Sequence, residues 1–583
     1  MKNLYKSIRN FKLPKKSELQ RAFFSFSKKE KILFSFLMII FVISTISILN
    51  NINKNFMTVV PMEGGSISEG IVGTPRFVNP ILALSDADKN LITLVYSGLM
   101  RKSSDGTLIP DLAEGYEMSK DGLTFTFTLK DKIYFHDGEA VTADDIIFTI
   151  NEARDPIIKS PLKASWDGIN VQKIDEKTIK FSLKQPYSSF LENTTVGIIP
   201  KHIWDGSPIE LNDANINPIG SGPYSVSKVS KQSSGIIDSY ELTSFKKFIL
   251  GKPYIKKITL HFYPNENDMI SALENGEVSQ ISSITPQNAE ILKKKNYRTE
   301  STILPRVFGL FFNQNEAKIF TNKNVVKAIN LAINKDNIVN EVLNGYGVII
   351  NDPIPPNILN YQKLTEQDES SSENNLNKAK EILNKDGWKI GSSGFLEKTT
   401  IEKKKKTIET LEFSISTGNN SEISKAAELI KKDLELIGIN VEVKTFEIGN
   451  LNQSVIRPRK YDALLFGQII NHESDLFAFW HSSQRKDPGL NVSMYTNPKV
   501  DKILEDASIT IDEKSRIEKY AQFENEINKD MPAIFLYSPN FIYVISKNLK
   551  GVSMDHITSS SDRFLNSYLW YSETENVWKI FSK

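Results

Sequence analysis

LIPDLAEGYEMSKDGLTFTFTLKDKIYFHDGEAVTADDIIFTIN, residues 108–151, carries strand and helix signals side by side. Thr124-Phe125-Thr126-Phe127-Thr128-Leu129 alternates strictly between polar and apolar, the period of a strand with one buried face. Lys132–Phe135 reads as a further strand, closed by the turn signal Asp137-Gly138. Thr142-Ala143-Asp144-Asp145 then opens a helix through Ile146 and Ile150. There a hydroxyl, and a carboxylate three residues on, can satisfy the free amides of a first turn.

The same alternation of element types continues along the chain. Lys177–Leu183 and Lys257–Phe262 read as strands, and Asp268–Glu274 as a short helix stopped at Gly276. Val307–Phe312 is a strand followed by a helix over Asn324–Ile333. Ser421 caps a helix whose apolar residues Ile423, Ala427, Ile430, Leu434 and Ile437 recur at helical spacing up to Gly438, and Ile439–Val443 is the strand after it. Helix and strand in repeated succession mean α/β domains. Two polar stretches, Thr365–Asn377 and Glu402–Lys406, read as surface excursions.

The front of the chain sets the compartment. Ile32–Leu49 is eighteen residues without a charge, long enough for a transmembrane helix. Ten Lys or Arg precede it between Met1 and Lys31, against Glu18 and Glu30, and only Lys54 follows closely. The positive-inside rule places residues 1–31 in the cytoplasm and everything after about Asn50 outside, with 32–50 as a single-pass anchor in the cell membrane. The run ends in Ile48-Leu49-Asn50-Asn51 rather than in the small residues of a cleavage site, so the anchor is expected to stay uncut. Residues 51–64 read as a short tether.

Composition narrows the function classes. A chain of 583 residues, 40% hydrophobic and 24% charged, is a multidomain globular protein. Its net charge of +2 gives no general attraction to nucleic acid. Without cysteine there is no disulfide, thiolate metal site or cysteine nucleophile. No phosphate-binding glycine loop, nucleophile elbow or metalloprotease helix motif is present, so no catalytic residue, resident metal or cofactor is expected. His472 and His481 flank Glu473 and Asp475, a spacing that a metal could use but that polar-loop histidines also show without one.

Five blocks, in order, resemble the bacterial extracellular solute-binding proteins of family 5, the oligopeptide- and dipeptide-binding components of ABC importers. They are Gly73–Arg101 (GTPRFVNPILALSDADKNLITLVYSGLMR), Leu108–Asn151, the turn Gly220-Ser221-Gly222-Pro223-Tyr224, Val307–Asn344 with Phe311-Phe312-Asn313, and the late region Tyr461–Ser482 with Asn491–Asp501. The resemblance implies a two-lobed periplasmic-binding-protein-like fold behind the anchor. Lobe one would comprise 65–104, 215–300 and 548–583, with an extra subdomain at 105–214, and lobe two would run over 301–547. It further implies a monomer that closes its lobes on a peptide or peptide-like solute and presents it to permease subunits. A metal complex, haem or a sugar as ligand, or a sensing module on the same fold, are the alternatives.

The resemblance also nominates ligand contacts. Gly467 stands at the family's glycine, Gln468 where tryptophan is common, and Asn471 where the peptide ammonium meets an aspartate. Because an amide cannot neutralise an ammonium, either Asp475 (the favoured one) or Glu473 takes that role, or the ligand has no free amino terminus. Asn313 at a strand end, Thr74 in a first-lobe loop, and Trp480 complete the expected set.

Overall fold

A computed structural model of the chain describes residues 15–356, 358, 372–402 and 405–582. Most of the polar stretch Thr365–Asn377 lies outside the described residues, as do 403 and 404. The described chain divides into two compact units, Met1–Met62 with Glu573–Lys583, and Glu63–Ser572.

In the first unit a helix runs over Lys28–Phe56, with no buried residue and an eighteen-residue stretch of mean hydropathy 2.8. Ser27 caps it: the Glu30 N–H donates to Ser27 Oγ at 3.4 Å, and the Ser27 N–H to Glu30 Oε2 at 2.7 Å. The segment expected to be a tether is regular instead. The helix continues to Phe56, and Met57–Met62 is a strand paired antiparallel with Glu573–Trp578, from Met57 opposite Trp578 to Met62 opposite Glu573. Asn50–Asn55 stay helical because the preceding apolar turns nucleate them. The last strand, expected in lobe one, belongs to this unit.

The second unit is built on one mixed sheet. Its strands are ordered Asn440–Phe446, Glu412–Gly418, Ala463–Ile469, Arg306–Phe312, Ala533–Ile545, Gln280–Ser282, Gly64–Val72, Ile255–Tyr263, Ile237–Ser244 and Tyr224–Lys231. Ala533–Ile545 is the strand that serves both halves. Its first part pairs with Arg306–Phe312, and its second with Arg298–Ile303 and Gln280–Ser282. The apolar cores divide at the same place. Ile534 and Phe535 pack with the 307–527 residues, whereas Phe541, Tyr543 and Ile545 join the core of the first half. The strand therefore changes half near Asn540, several residues before the sequence-expected border at Lys547.

The 108–151 stretch forms what its pattern predicts, with one exception. Thr124–Leu129 is a strand of a separate four-stranded antiparallel sheet, with Phe125, Phe127 and Leu129 buried beside Ile179 and Phe181. The helix runs over Ala143–Arg154, its first turn closed by Thr142 N–H donating to Asp145 Oδ2 at 2.8 Å. Lys132–Phe135 is not a strand. Lys132 takes φ 57°, which turns the chain, and only Tyr134 pairs, with Ala140, as an isolated bridge. The cap of helix Ser421–Glu435 also differs by one residue: Asn420 Oδ1, not Ser421, accepts from Glu422 N–H at 2.9 Å.

At Gly220 and Gly222 the chain presses against a helix end. A Cβ would lie 2.1 Å from the Val95 carbonyl oxygen at the first position and 2.6 Å from the Val95 carbonyl carbon at the second. Gly222 N–H donates to that oxygen at 2.8 Å, so the missing side chain is what permits the bond.

Candidate functional site

Where the two halves face each other, a cavity of about 880 Å3 opens beside the shared strand. Asp86, Ser283, Thr285, Phe541 and Ser560 line it from the first half. Arg306, Phe308, Asn419, Glu422, Phe466, Gly467 and Tyr537 line it from the second. The lining follows from the fold. Asp86 begins a helix capped by Ser85, Glu422 sits in the first turn of Ser421–Glu435, and Arg306 opens the strand that leads into the second half.

The floor is aromatic. Phe308 and Tyr537 stack with centroids 4.8 Å apart and planes 10° from parallel. Gly467 lies on the neighbouring strand, opposite Phe308, and a Cβ there would sit 2.8 Å from the Phe308 ring. The glycine thus leaves the ring its place and the cavity its width.

The walls carry opposite charges. Arg306 Nε is buried without a hydrogen-bond partner among the described residues. Burial lowers the proton affinity of this guanidinium and the Asp86 carboxylate raises it, but a guanidinium remains cationic either way. A cation whose buried donor is unused is costly unless something else meets it. Glu422 lines the same cavity, and burial and then the Glu266 carboxylate raise its pKa. The lining offers donors to an anion and acceptors to a cation, together with an aromatic floor.

Of the residues nominated from sequence, the structure brings Gly467 alone into this cavity. Gln468 points to the other face of its strand and is 2% exposed. Asp475 is engaged locally: its Oδ2 accepts from the N–H groups of Asn471 at 2.9 Å and His472 at 3.1 Å, ordering the turn before helix Asp475–Trp480. Burial still raises its pKa above the usual carboxylate value. Glu473 is buried against Arg516, which neutralises it. Asn313 is a structural residue, donating to the Arg459 carbonyl at 2.8 Å and accepting from Asn315 N–H at 3.1 Å. Trp480 is core, 1% exposed and packed on Phe311, Tyr495, Phe523 and Phe535. Thr74 is exposed in the loop after Gly64–Val72 and does not line the cavity. His472, half-buried, meets Glu192 of the 105–214 region instead of His481. Burial first, and then Lys102, hold its pKa down at about 3. Among the described residues no group of three His, Asp or Glu is arranged to hold a metal ion.

Sequence reading missed Arg306, Asp86 and Glu422. Each had a weak local signal, a charge at the first position of a strand or in the first turn of a helix. Only the pairing of distant strands places the three around one space.

Comparison with known proteins bears on most of the chain. Residues 107–488 match the family described as bacterial extracellular solute-binding proteins, family 5, middle part. The oligopeptide-binding protein AppA of Bacillus subtilis is 28% identical over 501 residues, covering 84% of this chain and 89% of AppA. The structure of B. subtilis AppA in complex with a nonapeptide superposes with TM-score 0.65 at 27% identity, covering 88% of this chain and all of that one. NikZ from Campylobacter jejuni in complex with Ni(L-His) superposes with TM-score 0.68 at 26% identity, covering 87% and 99%.

Proposed function

The chain belongs to the bacterial extracellular solute-binding proteins of family 5, and from that premise we propose that it captures peptides or peptide-like solutes and hands them to the permease subunits of an ABC importer. The observation that carries the ligand class is the presence of both signs of charge in the cavity lining. Arg306, with its unused donor, suits a ligand carboxylate through charge-assisted hydrogen bonds. Asp86 and Glu422 suit a ligand ammonium. The stacked Phe308 and Tyr537 and the neighbouring Phe466 offer apolar contact between them. A cavity of about 880 Å3 is within the usual range for a small organic ligand and fits a short peptide better than a long one.

The proposed working cycle is lobe closure about the 298–306 and 538–540 crossings, because a ligand held from both halves stabilises the state in which both touch it. We take 105–214 as a subdomain of the first lobe. The role is binding rather than chemistry.

The helix Lys28–Phe56 is proposed as an uncleaved anchor with the basic segment in the cytoplasm and the binding unit outside. Its direct continuation into the strand Met57–Met62 supports this, since the residues after the helix are held in a sheet with Glu573–Trp578.

A second reading, capture of a metal complex, draws on the match to NikZ with Ni(L-His). Native mass spectrometry of the full chain in detergent, with identification of released species, separates the two. Short peptides support peptide capture. A metal complex overturns the ligand class and leaves the transport role. An empty protein that gains no thermal stability from peptide pools sinks both.

A further inference from the structure

We propose that Trp578–Phe581 is a second membrane contact, lying in the headgroup region of the outer leaflet beside the anchor helix. The inference rests on the anchor reading above and goes beyond it, because nothing in an apolar helix alone predicts what the other end of the chain touches.

The strand Glu573–Trp578 is antiparallel to Met57–Met62, and Trp578 pairs with Met57, the residue that directly follows the helix. The helix-proximal end of this two-stranded sheet is therefore where Trp578 leads into the short turn Lys579–Phe581. From Leu49, the last residue of the uncharged run, to Phe56 is about 10 Å of helix at 1.5 Å per residue. Headgroups add roughly 5–7 Å beyond the hydrocarbon on each side. Trp578 thus starts about 3–5 Å beyond that region for an upright helix, and the chain after it runs on toward the membrane.

The residues there suit an interface and little else. Trp578 is 47% exposed, Ile580 77% and Phe581 74%, three large apolar side chains within four positions. Phe56 and Ile52, on the neighbouring helix, are also exposed. Lys54 and Lys579 supply cations at the level of lipid phosphates. The acidic residues of the strand, Glu573 and Glu575, pair with Met62 and Val60, at the end away from the helix. Tryptophan with lysine at the headgroup level is the pattern by which proteins anchor at the bilayer boundary. The charge gradient along six residues orients the strand with its apolar end down.

The chain has no cysteine, so single reporters are unambiguous. Full-length Ile580→Cys, Phe581→Cys, Glu573→Cys and Ile40→Cys are each labelled with an environment-sensitive dye. Each is reconstituted in phosphatidylcholine–phosphatidylglycerol vesicles with or without shallow nitroxide-bearing lipids. The expected result is severalfold quenching and a blue-shifted emission at 580 and 581, with neither at 573. Dyes at both 580 and 581 that stay unquenched like that at 573, while one at 40 shows a blue-shifted, lipid-buried emission, overturn the proposal and leave the anchor intact. A water-like emission at 40 means that the anchor reading has failed and the proposal with it.

Discussion

Glu69 and Arg563, 494 positions apart, meet with both side chains fully buried: Arg563 Nε donates to Glu69 Oε1 at 2.8 Å. The pair is satisfied on every side. Tyr543 and Gln280 donate to Glu69 Oε2 at 2.7 and 2.8 Å, and Arg563 Nη1 donates to Asn90 at 2.8 Å. Three strands of the first half and the 560–564 turn are thereby tied at one point. Removing one partner strands the other charge, so Glu69→Ala is expected to cost about 3–5 kcal/mol. Chemical denaturation of single and double variants checks this. A double variant less damaged than the sum of the singles is the expected sign of coupling.

Arg306 is expected to hold ligand rather than fold. Arg306→Ala removes from the cavity wall a charged donor whose Nε bonds to nothing among the described residues. Affinity for a bound peptide should fall by about 1.5–3 kcal/mol, tenfold or more, with the unfolding midpoint unchanged or raised. Isothermal titration beside thermal unfolding reads both. A large stability loss with unchanged affinity would assign Arg306 to the scaffold.

Gly467→Val should narrow the cavity. A Cβ 2.8 Å from the Phe308 ring must push that ring off Tyr537. A loss of about 1–3 kcal/mol in stability is expected from the overpacking, with a further loss of affinity measured at a temperature where the variant is folded. Trp480→Ala is the contrasting case. It empties core beside Phe311 and Phe535, and should cost about 3–5 kcal/mol with little change in affinity of the folded fraction.

His136 should make stability fall on acidification. Its Nε2 lies 3.1 Å from the Gly222 carbonyl, and Gly220 N–H donates to Nδ1 at 3.3 Å, an arrangement for the neutral ring. Burial lowers its pKa to about 4, against the opposing pull of the Gly222 carbonyl and Asp137. The unfolded chain takes up the proton first, near pH 6.5, so this contribution is whole above that value and is lost as pH falls toward 4. Thermal unfolding between pH 7 and 4 should show a shallower slope in His136→Asn than in the parent protein.

The amino-acid sequence by itself determined the element types, the compartment signal and the family pattern. Those depend on neighbours along the chain: alternation buries one face of Thr124–Leu129, Thr142 and Asp145 close a first turn, and Ile32–Leu49 holds no charge. The tertiary structure decided which polar residues are free to meet a ligand. Asp475, Glu473, Asn313 and Trp480 have the right chemistry for a site, yet backbone amides, Arg516, the Arg459 carbonyl and an aromatic core respectively already satisfy them. Arg306 is unremarkable in sequence and becomes a candidate because folding buries its Nε and, among the described residues, gives it nothing to bond. Local pattern fixes what a residue can donate or accept. Only the packing of distant strands fixes what is left unspent.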